Sequence, residues 1–368
     1  MGEQPAEALA LVDVLIADSA GQWDRQGLLP LDVLRKLGAD GLLCAQVDMV
    51  HSGAGMTSLD NGELTAHTGS LCGSVRSVMT SQGMAAWTIQ RLGDREQQTE
   101  YLPRLVTGEL AAVAFSEPGA GSDLSAITTS IRRDGDCVVV DGEKLWVTAA
   151  RYADLFLVFG HYQDGAAVVV VPAETPGLSV HVIPDPLGCR AAGHADLLLD
   201  SVRLPAGNVL GGVSQSLPLL VTSALAYGRI SVAWGCVGIL RGCLAAATAH
   251  ARTRHQFGKP LAEHQLVARQ LAELLVAEQV STRVCEHASR CWDARSPELV
   301  TATVLAKHVS AGYAASGAAS AVQLLASAGV RDGQLTARAY RDAKLMEIIE
   351  GSSELCQLML ARRALEVG

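Results

Sequence analysis

The feature that most limits the fold of this 368-residue chain is a change of hydrophobic period along it. From Leu110 to about residue 205, short runs rich in Val, Leu and Thr follow one another: AAVAFS, CVVVDG, KLWVTA, LFLVFG, AAVVVVP and LSVHVIP. Turn residues break them, and Asp134-Gly135 and Asp141-Gly142 are hairpin-type signals. Strands this short and regularly spaced predict a small sheet pair or barrel.

The period is helical on both sides. Over residues 1–110, Pro5 and Pro30 mark helix starts, and Leu31, Leu34 and Leu37 recur at helical spacing before Gly38 and Gly41. Ser81–Arg91 reads as a helix closed by Gly93, with Asp94 as the N-cap of the next. After Gly212 the helices lengthen. Val267, Leu271, Leu274 and Leu275 form one apolar stripe. Pro297 opens a helix ending near Gly329, and a last stretch starts near Arg341, is interrupted at Gly351 and resumes to Leu365. The expected fold class is α+β, mainly α: a helical domain (1–110), a central β domain (111–212) and a C-terminal four-helix bundle (213–368).

Net charge is −9 with a pI near 5.6, and no basic stripe of the kind a nucleic-acid binder needs is present. No apolar run reads as long enough to cross a bilayer. The nine cysteines lack zinc or redox spacing and read as reduced thiols of a cytoplasmic protein, with no metal site implied. The N-terminus carries acids where a secretory leader needs a basic region.

Four segments carry chemistry. Phe115-Ser116-Glu117-Pro118-Gly119-Ala120-Gly121-Ser122-Asp123 follows a strand; its glycines admit close backbone approach, and Ser116 and Ser122 add hydroxyls. Its spacing is not that of a dinucleotide fingerprint, and alone it reads as a well-capped turn sooner than as a binding loop. Lys144-Leu145-Trp146-Val147-Thr148 lies on a strand where alternation puts Trp146 and Thr148 on one face, suited to a flat heteroaromatic ligand or simply to a core. Arg254, Phe257, Gly258 and Gln265 surround a break between two long helices, where Arg254 and Gln265 suit a phosphate or an adenine edge. Finally, Ile348-Ile349-Glu350-Gly351-Ser352-Ser353-Glu354 sets a carboxylate at a helix break. Apolar neighbours Ile348 and Ile349 would desolvate Glu350 and raise its pKa toward a general base's range. Ser352 or Ser353 caps the following helix.

In this order and at these separations, the segments resemble the acyl-CoA dehydrogenase family. FSEPGAGSD is similar to its T/S-E-P-x-A-G-S-D loop and KLWVT to its K-x-W-I-T strand. RHQFGKPLAEHQ is similar to R-x-x-F-G-x-x-L-x-x-x-Q, and RDAKLMEIIEGSSE to R-D-A-K-I-x-x-I-Y-E-G-T-S-E. The likeness runs from about Trp23 to Arg363.

The resemblance implies FAD held between the β domain and the bundle. It places Phe115, Ser116, Gly121 and Ser122 along the flavin and thioester, Trp146 over the ring, and Thr148 near its reactive edge. It sends Arg254, Phe257 and Gln265 to the ADP half of a neighbouring subunit's FAD, in a homodimer or homotetramer. Gln323 matches the Gln of a Q-x-x-G-G motif facing that cofactor, and Ser352 and Glu354 lie by its diphosphate. Glu350 matches the catalytic base, taking the α-proton while a hydride leaves the β-carbon for the flavin. Ser122, Arg229 and Gly351 fall on the substrate side, and the amide of Glu350 holds the thioester carbonyl. Some members carry the base before an Arg on an earlier helix; here that pair is Gly228-Arg229, and Gly cannot serve. Ile349 stands for the usual Tyr, and Ala326 and Ser327 for the paired Gly.

These departures point to a specialised substrate. The likeness extends to enzymes of polyketide clusters that act on a small hydroxyacyl group on acyl carrier protein, toward hydroxymalonyl and methoxymalonyl extender units. Arg132, Arg133, Arg190, Arg331 and Arg338 are candidates for a basic patch receiving an acidic carrier. Two other readings stand beside this one: an acyl-CoA dehydrogenase of fatty or branched acid catabolism, and a non-catalytic flavin-binding scaffold. The acceptor that reoxidises the flavin is a further expected partner.

Overall fold

The computed structural model describes residues 3–16 and 18–367. Six helices come first: α1 (Glu3–Ile16), α2 (Ala20–Gln26), α3 (Leu31–Ala39), α4 (Ser58–Leu71), α5 (Gly73–Leu92) and α6 (Arg95–Val106). Asp94 caps α6 as expected, its side chain taking the Gln97 amide while Gln97 returns a bond to the Asp94 amide. Helix α5 starts eight residues before the stretch that periodicity marks. Almost all of it is buried, so it has no polar face for a period to show.

Seven strands follow: β1 (Ala111–Ala114), β2 (Ser130–Asp134), β3 (Cys137–Val147), β4 (Leu155–Tyr162), β5 (Gly165–Pro172), β6 (Leu178–Val182) and β7 (Ala195–Pro205). They form one sheet in the order β1-β4-β2-β3-β7-β6, with β5 on β4. Strand β4 shows why these runs are apolar throughout: Phe156 and Val158 fill the core of the β domain, while Leu155, Leu157 and Phe159 face the helices. Asp134-Gly135 makes the β2–β3 hairpin, with Gly135 at φ 62°. Asp141-Gly142 does not turn the chain. It is a register shift inside one long β3, because the Asp141 carboxylate accepts from the Ser201 amide at 2.7 Å and a side chain at Gly142 would strike Thr129.

The rest is helical: α7 (Leu217–Thr253), a hairpin of β8 (His255–Gln256) and β9 (Lys259–Pro260), α8 (Gln265–Asp293), α9 (Leu299–Leu325), α10 (Leu335–Met346) and α11 (Ser353–Val367). Leu274 points into the bundle, but Leu275 turns outward. The final stretch starts at Leu335, earlier than its sequence pattern suggests, and halts at Met346. Positive φ at Glu350 (56°) and Gly351 (96°) separates it from α11. Contrary to the sequence reading, α7 is long and apolar enough to span a membrane; 78% of its most apolar stretch is buried within the protein, as a central bundle helix requires. All nine cysteines are free, and all but Cys137 are buried.

Candidate active site

The loop after β1 is pinned from below. Glu117 and Ala120 exchange backbone hydrogen bonds at 3.0 Å, closing a tight turn over Pro118-Gly119. The buried Glu117 carboxylate accepts from Lys144 Nζ (2.7 Å), Thr128 Oγ1 (2.8 Å) and the Thr129 amide (3.1 Å). Although burial opposes ionisation, these donors bring the Glu117 pKa down to about 2. Lys144 also donates to the Phe115 carbonyl, and the Leu145 amide to that of Ser116. Neither Glu117 nor Lys144 is among the expected site residues; their signal in the sequence is a Glu before Pro-Gly in a loop and a Lys in an otherwise apolar strand. Above the pair, Gly121 and Ser122 are exposed, and side chains built at Gly119 and Gly121 would meet nothing. Phe115 and Ser116 are half-buried, with the Phe115 ring 4.3 Å from that of Phe159.

Trp146 is not a core residue; it is 55% exposed, with φ at 56° and its amide donating to Asp196 at 2.9 Å. The register slips between Lys144 and Val147, so strand alternation does not pair Trp146 with Thr148. His194 does so instead. Its ring lies 5.9 Å from the indole, and its Nδ1 is 3.3 Å from Thr148 Oγ1. Burial pulls the His194 pKa down to about 4, keeping the imidazole neutral, and its enclosed Nε2 has no partner among the described residues.

Glu350 follows α10 in the short left-handed break. Its Oε2 is enclosed without a hydrogen bond from the described residues and rests against the bare Cα of Gly228, where a Cβ would collide with it and crowd Met84. Burial pushes the Glu350 pKa up to about 7, against the opposing charges of Arg229, Lys307 and Arg76. Ile348 does not supply this desolvation, being 58% exposed, and Ile349 packs toward the bundle core. Gly228 on α7 lets the carboxylate in. Arg229 Nε donates to the Glu350 carbonyl at 3.1 Å, and Lys307 Nζ to the carbonyl of Gly351. The Glu350 amide donates to no acceptor among the described residues.

Helix α5 joins the halves. Thr80 Oγ1 lies 2.7 Å from Ser231 Oγ, two residues past Arg229, while Ser81 Oγ donates to the Thr148 carbonyl at 3.1 Å. Linked through α5 are thus an exposed indole, an open glycine loop and the enclosed His194 Nε2 on the β-domain side and the enclosed Glu350 Oε2 on the bundle side, neither polar atom having a partner among the described residues. These features fit a flat heteroaromatic cofactor with a carboxylate base opposite.

The remaining residues lie elsewhere. Ser352 caps α11 by accepting from the Leu355 amide at 3.3 Å, and Glu354 is exposed in its first turn. Arg254 closes α7, 26 residues beyond Gly228 and so about 39 Å away along the helix. Phe257 and Gly258 form the β8–β9 turn, and Phe257 is 94% exposed. Gln265 and Gln323 are exposed too, and Leu324 packs with Ala247 and Ala251 near the Arg254 end of α7. Within one chain Arg254, Phe257, Gln265 and Gln323 thus lie far from Glu350, whereas Ser352 and Glu354 directly follow it. Of the five arginines, Arg190 pairs with Asp332 and Arg338 donates to the Gly333 and Leu71 carbonyls, so both meet the loop that carries Arg331, while Arg132, paired with Asp141, and Arg133 lie on β2. Away from the cleft, ligand atoms of His287, Cys291 and Glu298 lie within 4.8 Å of one another, a grouping whose sequence signal is the four-residue step along α8.

Sequence profiles match almost the whole chain: the acyl-CoA dehydrogenase N-terminal domain over residues 6–109, the middle domain over 112–202 and the C-terminal domain over 219–365. The probable acyl-CoA dehydrogenase YngJ of Bacillus subtilis (strain 168) is 32% identical over 359 residues, 95% of this chain and 94% of its own. The mitochondrial short-chain specific acyl-CoA dehydrogenase of Rattus norvegicus is 30% identical, covering 93% of this chain and 84% of its own. Among solved structures, FkbI for biosynthesis of the methoxymalonyl extender unit of the Fk520 polyketide immunosuppressant superposes with a TM-score of 0.94. It is 62% identical, over 97% of this chain and 99% of that one.

Proposed function

The chain belongs to the acyl-CoA dehydrogenase family, and from that premise we propose that it dehydrogenates a small hydroxyacyl group held as a thioester on acyl carrier protein, on the way to a polyketide extender unit. The family's cofactor is FAD, which when bound supplies the acceptor for the hydride leaving the acyl chain. The observation that carries the reading is Glu350, a carboxylate enclosed against Gly228 with its pKa near neutrality and no partner of its own. Such a group is ionised enough at neutral pH to take an α-proton and basic enough to hold it. The free amide of Glu350 suits the thioester carbonyl, where it would stabilise enolate charge. The exposed face of Trp146, the amides around Gly121 and Ser122, and Phe115, Ser116 and Thr148 would hold the flavin end. Gly351 and Arg229 would fix the base loop against the substrate.

Arg254, Phe257, Gln265 and Gln323 would serve the FAD of a neighbouring subunit, with Ser352 and Glu354 by its diphosphate, in a cytoplasmic homodimer or homotetramer. On this reading the domains run 1–110, 111–212 and 213–368. The carrier-protein substrate is supported by the 62% identity to FkbI. Turnover of one small hydroxyacyl group on carrier protein and on CoA tests it. Faster flavin reduction by the carrier-bound form is expected; equal or faster reduction by the CoA form would instead support acyl-CoA catabolism.

A further inference from the structure

Arg76 is 1% exposed, yet among the described residues no carboxylate pairs with it. Its Nη1 reaches Thr80 Oγ1 at 3.3 Å. Its Nη2 lies 3.0 Å from Met346 Sδ and 4.0 Å from Cys189 Sγ, both weak acceptors. Buried guanidinium groups are ordinarily matched by carboxylates, because the charge is costly to take out of water alone. The fold has also made room for this one. A side chain on Gly235 would strike its Cδ and Nε, and Gly69 lies against its Cγ.

The surroundings deepen the imbalance. Arg76, Arg229 and Lys307 are all buried, and their charges act on the single carboxylate of Glu350. Lys307 and Arg229 spend hydrogen bonds on the backbone of the Glu350 loop, whereas Arg76 donates to no part of it. The buried Asp342 accepts from the Cys189 amide and makes no ion pair with Arg76. Geometry places Arg76 between the two halves of the site: Thr80, which takes its Nη1, meets Ser231 near Arg229 and adjoins Ser81, which donates to the Thr148 carbonyl, while Met346 at its Nη2 stands four residues before Glu350.

We propose that Arg76 is a specificity-determining residue that receives an oxygen-bearing, preferentially anionic, far end of the acyl group, a few bonds from the carbon that Glu350 deprotonates. This rests on the dehydrogenase reading of the cleft and narrows its substrates to acyl chains ending in a carboxylate or hydroxyl. An aliphatic chain of the same length would leave a buried cation and its donors unmatched, and rejection on that ground is steep.

The test compares binding of succinyl, 3-hydroxybutyryl and butyryl thioesters of pantetheine, the arm common to CoA and carrier protein, to the FAD-loaded protein by calorimetry. Wild type is expected to bind the two oxygenated groups at least roughly tenfold more tightly than butyryl, succinyl best. Arg76→Gln should abolish that preference while leaving butyryl affinity within about twofold, and Arg76→Lys should keep part of it. No preference in wild type, or an undiminished one in Arg76→Gln, would overturn the proposal. A fall in melting temperature with selectivity unchanged would make Arg76 structural only, which also overturns it. Because pantetheine favours neither carrier and binding needs no turnover, failure here is distinguishable from failure of the carrier-protein proposal.

Discussion

Glu350 Oε2 lies where a side chain on Gly228 would have to stand, so the absence of a Cβ on α7 is what admits the carboxylate. The two positions are alternatives. The residue before Arg229 and the residue in the left-handed break compete for one volume, and this chain has settled it with glycine at one and the acid at the other.

Gly228→Ala is therefore expected to displace the carboxylate without disturbing the β-domain side. Misplacing a catalytic group by about 1 Å costs on the order of 100-fold, so anaerobic stopped-flow flavin reduction should slow by about that factor while FAD retention stays normal. Unchanged reduction by the alanine variant would mean that the carboxylate does its work elsewhere.

The raised pKa of Glu350 gives opposite pH trends for activity and stability. A base must be ionised, so flavin reduction should rise with pH and level off above about 7. Burial favours the protonated carboxyl, so its contribution to stability is complete below 4.5 and lost as pH rises through about 7. Glu350→Gln should remain folded and yellow, lose roughly 10²- to 10⁴-fold in reduction rate, and show neither pH trend. A variant that keeps the wild-type pH profile would show that another group titrates.

Much of this was readable beforehand. The helical, β, helical order followed from period alone, because β4 buries both faces and the bundle helices are long. Asp94 could be read as a cap because its partner is three residues away. What escaped were relationships across sequence distance. His194 couples Trp146 to Thr148 from nearly fifty residues away, and local alternation predicted the wrong cause for their proximity. Ile348 was expected to dry Glu350, but Gly228, more than a hundred residues earlier, does so. Arg76 lies in a helix whose burial is so complete that its first two turns carried no periodic signal.

The Glu117–Lys144 pair predicts a sharp asymmetry between single and double substitutions. Both side chains are enclosed at 2.7 Å, and removing one leaves the other charged and dry. Lys144→Met should cost about 3–5 kcal/mol in denaturant unfolding, whereas Glu117→Gln with Lys144→Met should recover much of that. The carboxylate's depressed pKa means that its contribution is present above 4.5 and fades as pH falls toward about 2. If the double variant is no better than the single, the loop depends on something other than charge pairing.

Phe257 supplies the last prediction. A phenyl ring 94% exposed at the tip of a two-residue turn, with φ at 52°, is an unfavourable arrangement for a lone chain on two counts, apolar exposure and left-handed backbone. Both make sense if the turn inserts into a second copy. Arg254 and Gln265 flank it, about 39 Å along α7 from the base, which is too far to serve the same chain's cofactor. Phe257→Ser with Gly258 retained should keep each chain folded, since the residue packs against little beyond the His264 ring at 6.1 Å. Sedimentation should show a weakened assembly, and FAD should be lost on dilution in parallel with dissociation. A variant that dissociates yet holds FAD as firmly as wild type would mean that each chain binds its cofactor alone.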